Sequence, residues 1–488
     1  MKSRELSYGL RPGVSAFENG DGTGLILSYP LKVLRINKTW AGVLGLFSRS
    51  EWVPMRRILG ILKAGDPDRV ETFLQDLVRR GFLRSRGVGK ISEPVLVSVI
   101  VPVRNRPEDL RACLESLQGL EYPTDRLEVI VVDDASEDDT PLQASSFPVR
   151  LISMGERKGA SSCRNLGASE ARGDVLAFLD SDCTVEPSWL VELLPAFKNP
   201  RTAGVGGWVD SCFNDKALDR YEKVRSSLFM GPWPKASSRE DRFFYVPSCN
   251  LLVKKEAFLR VEGFREDLAV GEDVDLCWRL QDAGCGMEYR PSGRVFHKHR
   301  NRLGAFFSRR FDYGTSEPLL QGLHGGRRKH MLFPWGVVIF WALAFSAFAL
   351  ESLVCAGAGG CVLLWGVRSG LLKGRGLRAP VKKRALLWAV LRSHAAFVYH
   401  LCSFISRYYL LASLFLLYWA PMGCAVIWGA HILVGGVEFI NRRPRLDPFS
   451  FFWFFTLEQL AYQSGVWWTC FRTLNFNPVN PRLAPEMR

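Results

Sequence analysis

The sequence predicts an α/β domain set between a small winged-helix module at the front and an apolar helical region at the back. Three observations carry this reading. From Val95 to about Leu323, short apolar runs alternate with amphipathic helical patterns, as in a parallel sheet covered by helices. Ahead of it, residues 1–90 interleave strand-like and helix-like signals around a compact apolar set. Behind it, from Met331, uncharged stretches approach the length of a membrane span.

Composition sets the outer limits. A chain of 488 residues, 47% hydrophobic and 12% aromatic, has apolar material for two or three folded units. The net charge of +15 would suit nucleic acid were it spread over the chain. From Gly325 to Arg488, however, 18 Lys and Arg stand against 5 Asp and Glu, so +13 of the excess lies beside apolar spans. That distribution reads as membrane surface, with no nucleic-acid partner. The 12 cysteines form no CxxC pair, and several, such as Cys355 and Cys361, sit in apolar stretches. They read as reduced, buried small hydrophobes. Met-Lys-Ser-Arg-Glu-Leu is followed by no apolar run, so no signal peptide is expected and the front of the chain should stay in the cytosol.

In the N-terminal module, Gly24–Leu27 and Lys32–Ile36 read as strands. Two short helical patterns follow, the second placing Val70, Phe73, Leu74, Leu77 and Val78 on one face and closing at Gly81.

In the middle region the first strand, Val95–Val103, ends at Arg104-Asn105-Arg106-Pro107, and a helix is expected over Glu108–Leu117. The second strand, Leu127–Val132, runs into Asp133-Asp134-Ala135-Ser136. A third run, Val149–Met154, leads to Gly159-Ala160-Ser161-Ser162-Cys163-Arg164-Asn165-Leu166-Gly167, a loop entering a helix, and a fourth, Val175–Leu179, delivers Asp180-Ser181-Asp182. The carboxyl ends of such strands are where open α/β sheets bind ligands. Asp180 and Asp182, two apart past a strand end, suit one divalent cation and the phosphate oxygens bound to it, which would neutralise a departing diphosphate. A single such pair is also an ordinary turn. The ordered recurrence of acidic strand ends in one sheet favours the functional reading. Further on, Pro247-Ser248-Cys249-Asn250 precedes Leu251–Val253, and Gly271-Glu272-Asp273 opens a helix. These carboxylates suit either a helix start or a base that takes a proton from an acceptor hydroxyl.

Together Val97-Ser-Val-Ile-Val-Pro-Val-Arg-Asn, Val132-Asp-Asp-Ala-Ser, Gly159 to Gly167, Asp180-Ser-Asp182 and Gly271-Glu-Asp273 resemble the ordered motif set of the family 2 glycosyltransferases over residues 96–310. The resemblance implies a GT-A fold over 96–325, a nucleotide-sugar donor, Mg2+ or Mn2+, and inversion in one displacement. It implies that Pro102, Arg104, Asp133, Asp134, Arg164 and Asp180 bind the donor, with Asp134 at the nucleobase and Asp180 on the ribose or metal side. Asp180, Asp182 and His297 would serve the metal, with His299 competing for His297's place. Asp273 would be the base, with Glu272 beside it. The Gln-x-x-Arg-Trp acceptor motif of processive members is missing, and Arg309-Arg310-Phe311-Asp312-Tyr313-Gly314-Thr315-Ser316 stands instead.

Tyr313-Gly-Thr-Ser, Ala461-Tyr-Gln-Ser-Gly-Val-Trp and the front module together resemble the mycofactocin-system glycosyltransferases. The front module is also similar, around Leu34, Asn37, Val70, Leu77 and Leu83, to the peptide-binding chaperone domain of pyrroloquinoline quinone pathways. This resemblance implies transfer of glucose units, β-1,4-linked, from UDP-glucose or a similar donor to a peptide-derived redox cofactor or its precursor peptide. Two alternatives stay open: a membrane-bound transferase acting on a lipid-linked or cell-wall glycan, and an inactive peptide-binding membrane scaffold.

In the last third, residues 331–488, Met331–Leu350 and Ser352–Val367 lack charge, as does Tyr408–Val437. The basic loop Arg368–Arg384 returns to the cytosol if two crossings precede it. Tyr408–Val437 then reads as a helical hairpin, and 385–407, with Arg392, His394, His400 and Arg407, as a surface-lying helix. The expectation is an inner-membrane protein with its catalytic domain in the cytoplasm.

Overall fold

The computed structural model describes residues 5–19, 22–28, 31–63, 66–87, 94–237, 243–299, 301–327, 329–376 and 381–484. These divide into two compact units. One comprises residues 87–323 and 439–469, the other 5–86, 324–438 and 470 onward.

The first unit is built on an eight-stranded sheet. Its principal elements, in chain order and leaving aside the short helices Thr140–Ser145, Trp189–Leu193 and Lys255–Arg260, are β1 (Val97–Val103), α1 (Pro107–Gln118), β2 (Leu127–Asp133), β3 (Arg150–Ser153), α2 (Ala160–Glu170), β4 (Val175–Phe178), β5 (Cys183–Val185), β6 (Thr202–Gly206), β7 (Val209–Ser211), α3 (Ala217–Arg225), β8 (Lys235–Ala236), β9 (Leu251–Lys254), α4 (Glu272–Asp282), β10 (Gly286–Tyr289), β11 (Val295–His297), α5 (Leu303–Leu323) and α6 (Pro448–Thr473). The sheet order is β8-β10-β6-β9-β4-β1-β2-β3, and β5-β11-β7 form a second, three-stranded sheet. Every residue of β1 is buried because successive side chains enter opposite cores. Val97, Val99, Val101 and Val103 meet Leu110, Leu114 and Trp189, while Ile100 meets Cys163, Phe258 and Leu276.

The sequence pattern predicts parallel strands throughout, and β3, β2, β1 and β4 are parallel. β9, however, runs antiparallel to both β4 and β6, so the sheet is mixed. It starts from the turn Ser248–Asn250, beside the carboxyl ends of its neighbours, and an apolar run carries no mark of its direction. Pro102 pairs with Val132 of β2 beyond the last β4 partner, Ile100, so its missing amide costs the ladder nothing on that side. Gly167 lets α2 lie directly on the sheet, since a Cβ there would stand 2.6 Å from Ile100.

α3, α5 and α6 enclose a buried charged cluster. Arg225 reaches both oxygens of Glu458 at 3.2 and 3.3 Å, Tyr221 donates to the same carboxylate, and Arg310 reaches Glu222 at 2.9 Å. Tyr221, Glu222, Arg310 and Glu458 are buried, and the Arg225 side chain is 12% exposed. Burial opposes the charge on Glu458, but Arg225 and Arg310 outweigh it and hold the carboxyl down at about 2.

In the second unit, residues 5–86 form two three-stranded antiparallel sheets and the helices Ala41–Arg49, Met55–Leu62 and Pro67–Arg79. Leu44, Phe47, Ile58, Leu74 and Leu77 make their common core. Among the described residues, three helices are long and apolar enough to cross a membrane: Leu353–Gly370 within a longer helix, Lys383–Tyr409 and Pro421–Arg442. The sequence pattern suggested a surface helix for 385–407, yet that segment belongs to a 27-residue helix of spanning length, its few charges diluted along it. The expected hairpin over 408–437 breaks at Ala420, just before Pro421, leaving only the eight-residue helix Ala412–Trp419 ahead of it. Met331–Leu350 yields a helix of 15 residues, Trp335–Ala349. Within the expected basic loop 368–384, residues 377–380 lie outside the described residues.

Candidate active site

The site is assembled from the carboxyl ends of β1, β2 and β4 and the start of α4. The loops after β1 and β2 are tied together: the Asn105 amide donates to Ser136 Oγ at 2.9 Å, and Asn105 Oδ1 accepts from the Glu137 amide at 2.9 Å. Asn105 and Ala135 both hold positive φ, 50° and 52°, which turns the chain sharply off each strand. Arg104 extends to Glu137 at 3.3 Å, and its buried Nε has no partner among the described residues.

The two carboxylates after β2 are both engaged within the chain. Asp133 accepts from the amide and hydroxyl of Ser136. Asp134, 6% exposed, accepts from the amides of Lys158 at 2.6 Å and Gly159 at 3.0 Å, so it fixes the loop entering α2.

Arg164 of α2 is the hinge of the arrangement. Its guanidinium is buried and bridges Asp180 at the tip of β4 (2.6 Å) to Glu272 at the start of α4 (3.1 Å), with the Phe264 ring beneath it. Burial opposes its charge, and the two carboxylates more than offset that. Asp180 in turn is disfavoured as an anion by burial, yet Arg164 holds its carboxyl below the ordinary range.

Asp182, Cys183 and His297 bring one ligand atom each within 4.8 Å of one another. β5 and β11 create this meeting, because Cys183 and His297 are direct partners in their ladder. His297 Nε2 lies 3.5 Å from Asp182, and its buried Nδ1 has no partner among the described residues. Burial pushes the Cys183 thiol well up, and a hard divalent cation prefers oxygen to sulfur, so Asp182, with His297 beside it, is the fitting donor for such an ion. Arg106 Nη1 stands 2.5 Å from Asp182, supplying a positive charge to that carboxylate. His299, its ring centroid 5.0 Å from that of His297, is buried and held neutral, its basicity lowered to about 3 by burial and by the charges of His297 and Arg310.

α4 is preceded by Gly271 at its N-cap position, whose φ of 86° is left-handed and which offers no side-chain cap. Glu272 and Asp273 therefore occupy the first turn, and neither caps the helix. Asp273 accepts from the Ser248 amide at 3.4 Å, and its carboxyl is pushed up to about 7 by burial and by the neighbouring Glu272 charge. That is the proton affinity suited to a base working near neutrality. Arg279, nearly two turns further on, pairs with buried Asp275 at 2.6 Å and binds the carbonyl of Gly263, fixing the loop ahead of the helix.

The glycosyl transferase family 2 profile matches residues 98–266, which contain the acidic strand ends. A pre-mycofactocin glycosyltransferase of Mycobacterium tuberculosis is 30% identical over 401 residues, covering 79% of this chain and 82% of that protein. The chain belongs to the mycofactocin-system family 2 glycosyltransferases. This glycosyltransferase therefore carries the GT-A fold, with its mixed sheet followed by apolar helices. Glycosyltransferase AglE of Haloferax volcanii is 29% identical over 219 residues, 41% of this chain and 70% of that one. Among solved structures, a mannosyltransferase from Pyrobaculum calidifontis in complex with GDP-Man and Mn2+ is 20% identical with a TM-score of 0.37, covering 62% of this chain and 88% of that one.

Three site residues of this family member escape a reading of the sequence. Arg106 reaches Asp182 across the sheet edge, and Ser248 presents its amide to Asp273. Asn250, fully buried, accepts from Trp189 Nε1 at 2.8 Å and donates to the carbonyl of Gly293 at 2.9 Å, securing the turn that carries Ser248. A polar residue directly ahead of a buried strand was the one signal available for Asn250.

Proposed function

We propose that this glycosyltransferase moves a hexose, glucose from UDP-glucose or a similar nucleotide sugar, to a peptide-derived redox cofactor in a single inverting displacement, building a β-1,4-linked chain. The observation that carries the chemistry is the carboxylate of Asp273, poised near neutrality 3.4 Å from the Ser248 amide at the edge where the acidic strand ends converge. The likeness to a protein named for pre-mycofactocin supports the acceptor class.

The acceptor hydroxyl gives its proton to Asp273 as its oxygen forms the bond to the anomeric carbon, and the bond to the nucleoside diphosphate breaks with its electron pair. Glu272, held by Arg164, keeps a negative charge beside Asp273 and so sustains its basicity. Asp182 and His297, with Asp180 behind them, would hold Mg2+ or Mn2+, whose charge offsets that of the leaving diphosphate. Pro102, Arg104, Asp133 and Asp134 shape the nucleotide side of the edge. The first 90 residues select the peptide-derived acceptor, and the apolar helices hold the enzyme at the inner membrane with its catalytic unit in the cytoplasm.

The test is transfer of labelled glucose from UDP-glucose to the peptide-derived acceptor by the full chain in detergent, with the anomeric configuration read by NMR. The expected product carries a β-linked glucose. Transfer only to a lipid-linked or cell-wall glycan acceptor would assign the enzyme to that substrate class instead, and the three apolar helices are the feature that would favour it.

A further inference from the structure

Two segments about 150 residues apart, around Tyr313-Gly314 on α5 and Tyr462 to Gly465 on α6, prove to be the two sides of a single helix crossing. A Cβ added at Gly314 would stand 2.0 Å from the Tyr462 carbonyl oxygen, and one added at Gly465 would stand 2.0 Å from that of Phe311. Both obstacles are backbone atoms, so neither can swing aside. One residue turn along the same face, Tyr462 donates to buried Glu317. The opposite face of α5 meets the site. Ser316 is two residues, about 200°, around the helix from Gly314, and its Cβ lies 3.1 Å from where a Gly271 Cβ would be, with Leu320 Cδ1 also at 3.1 Å. α5 is thus held between α6 on one side and the start of the base-bearing helix α4 on the other. Gly271 has no side-chain cap of its own to fix the entry of α4.

We propose that the Gly314–Gly465 crossing, with Tyr462 on Glu317, is a positioning device for sugar transfer: it seats α5 against Gly271 and so sets where Glu272 and Asp273 open α4. Gly465, Gly314 and Tyr462 are positioning residues, and the C-terminal helix α6 serves turnover. The inference rests on Asp273 being the base. An added methyl at 465 must separate the helices by more than about 1 Å to escape the Phe311 carbonyl, and a misplacement of that size remote from the chemistry costs up to about a hundredfold in rate.

The test uses the full-length enzyme, with UDP-glucose hydrolysis and UDP binding in Mn2+ as separate readouts. Gly465→Ala is expected to lower kcat by about tenfold or more and to move the acid limb of the pH profile, with the Kd for UDP within about twofold of the parent. Tyr462→Phe, which leaves the backbone crossing intact, should lower kcat by roughly threefold with the same binding. Ser464→Ala, which removes a hydroxyl bonded within its own helix to the Leu460 carbonyl, should change nothing. Parental kcat and pH profile in Gly465→Ala overturns the proposal, as does an equal loss of UDP binding and turnover. So does failure of Gly465→Ala to fold combined with parental kcat in Tyr462→Phe. If Asp273→Asn turns over normally, the base assignment itself fails; if Asp273→Asn is inactive while the two α6 variants are normal, the positioning inference alone fails.

Discussion

Replacing Asp273 by Asn keeps the size of the side chain and an oxygen to accept from the Ser248 amide, and removes the proton acceptor. A positioned base contributes about 10²–10⁴-fold, and the Asn variant is expected to lose that much in kcat while binding UDP as before. The pH dependence supplies a sharper figure. With the carboxyl pushed up to about 7, roughly a tenth of it is ionised at pH 6 and nine tenths at pH 8. The active form is the carboxylate, so kcat/KM should rise about tenfold over that interval. A carboxyl of ordinary acidity would be fully ionised throughout and give a flat profile. The stability linkage has the opposite sense: a carboxyl raised in the folded state favours folding when protonated, and that contribution is lost as pH rises through about 7. The Asn variant should therefore match or exceed the parent in Tm at pH 8 while falling far below it in rate. Initial rates of UDP release from pH 5.5 to 8.5 and a melting curve at pH 8 check both halves. A flat parental profile between pH 6 and 8, or an Asn variant within a factor of ten of the parent, would refute the reasoning.

Asp182→Ala, at the tip beyond β4, should remove Mn2+-dependent UDP-glucose turnover by about a hundredfold or more and leave the far-UV spectrum unchanged; retained Mn2+ dependence removes Asp182 from the metal site. Arg164→Met leaves Asp180 and Glu272 without their shared partner and should cost about 3–5 kcal/mol in chemical denaturation. Arg164→Lys should fail to recover it, because an ammonium cannot span two carboxylates as the planar fork does. Removal of the first 90 residues should leave UDP-glucose hydrolysis intact and raise the KM for the peptide-derived acceptor, with rescue at high acceptor as effective concentration requires. Unchanged transfer at every acceptor concentration would show that this segment does not recognise the acceptor.

Much of the sheet edge was legible because its logic is local. Asp133, Asp134, Asp180 and Asp182 each follow a run too apolar to be anything but an interior strand, so their meeting at one edge follows once those strands are parallel. What each carboxylate touches was not legible. Asp134 turns toward the amides of Lys158 and Gly159, and Arg164 reaches Asp180 and Glu272, contacts that span up to 108 residues. The antiparallel run of β9 was hidden because direction leaves no trace in hydropathy. In the C-terminal third, scattered arginines and histidines between 385 and 407 suggest a helix lying on a surface, although an 18-residue window within Lys383–Tyr409 has a mean hydropathy of 1.2. Glycines inside helices look like weak points in a sequence; Gly314 and Gly465 become intelligible only as a reciprocal pair.

The charged cluster between α3, α5 and α6 bears on how such a chain can diverge. Glu458, Arg310 and Glu222 sit together in the interior with the largely covered Arg225, two of each sign. Loss of any one strands an opposite charge away from water, whereas exchanging a whole pair for apolar side chains of similar volume is close to neutral. Single-letter drift at these positions is thus penalised, and paired replacement is open. Descendants of this sequence should therefore inherit Arg225 with Glu458, and Arg310 with Glu222, as linked characters. A homologue that has lost Glu458 should be found to have lost Arg225 as well, even though 233 positions separate them along the chain.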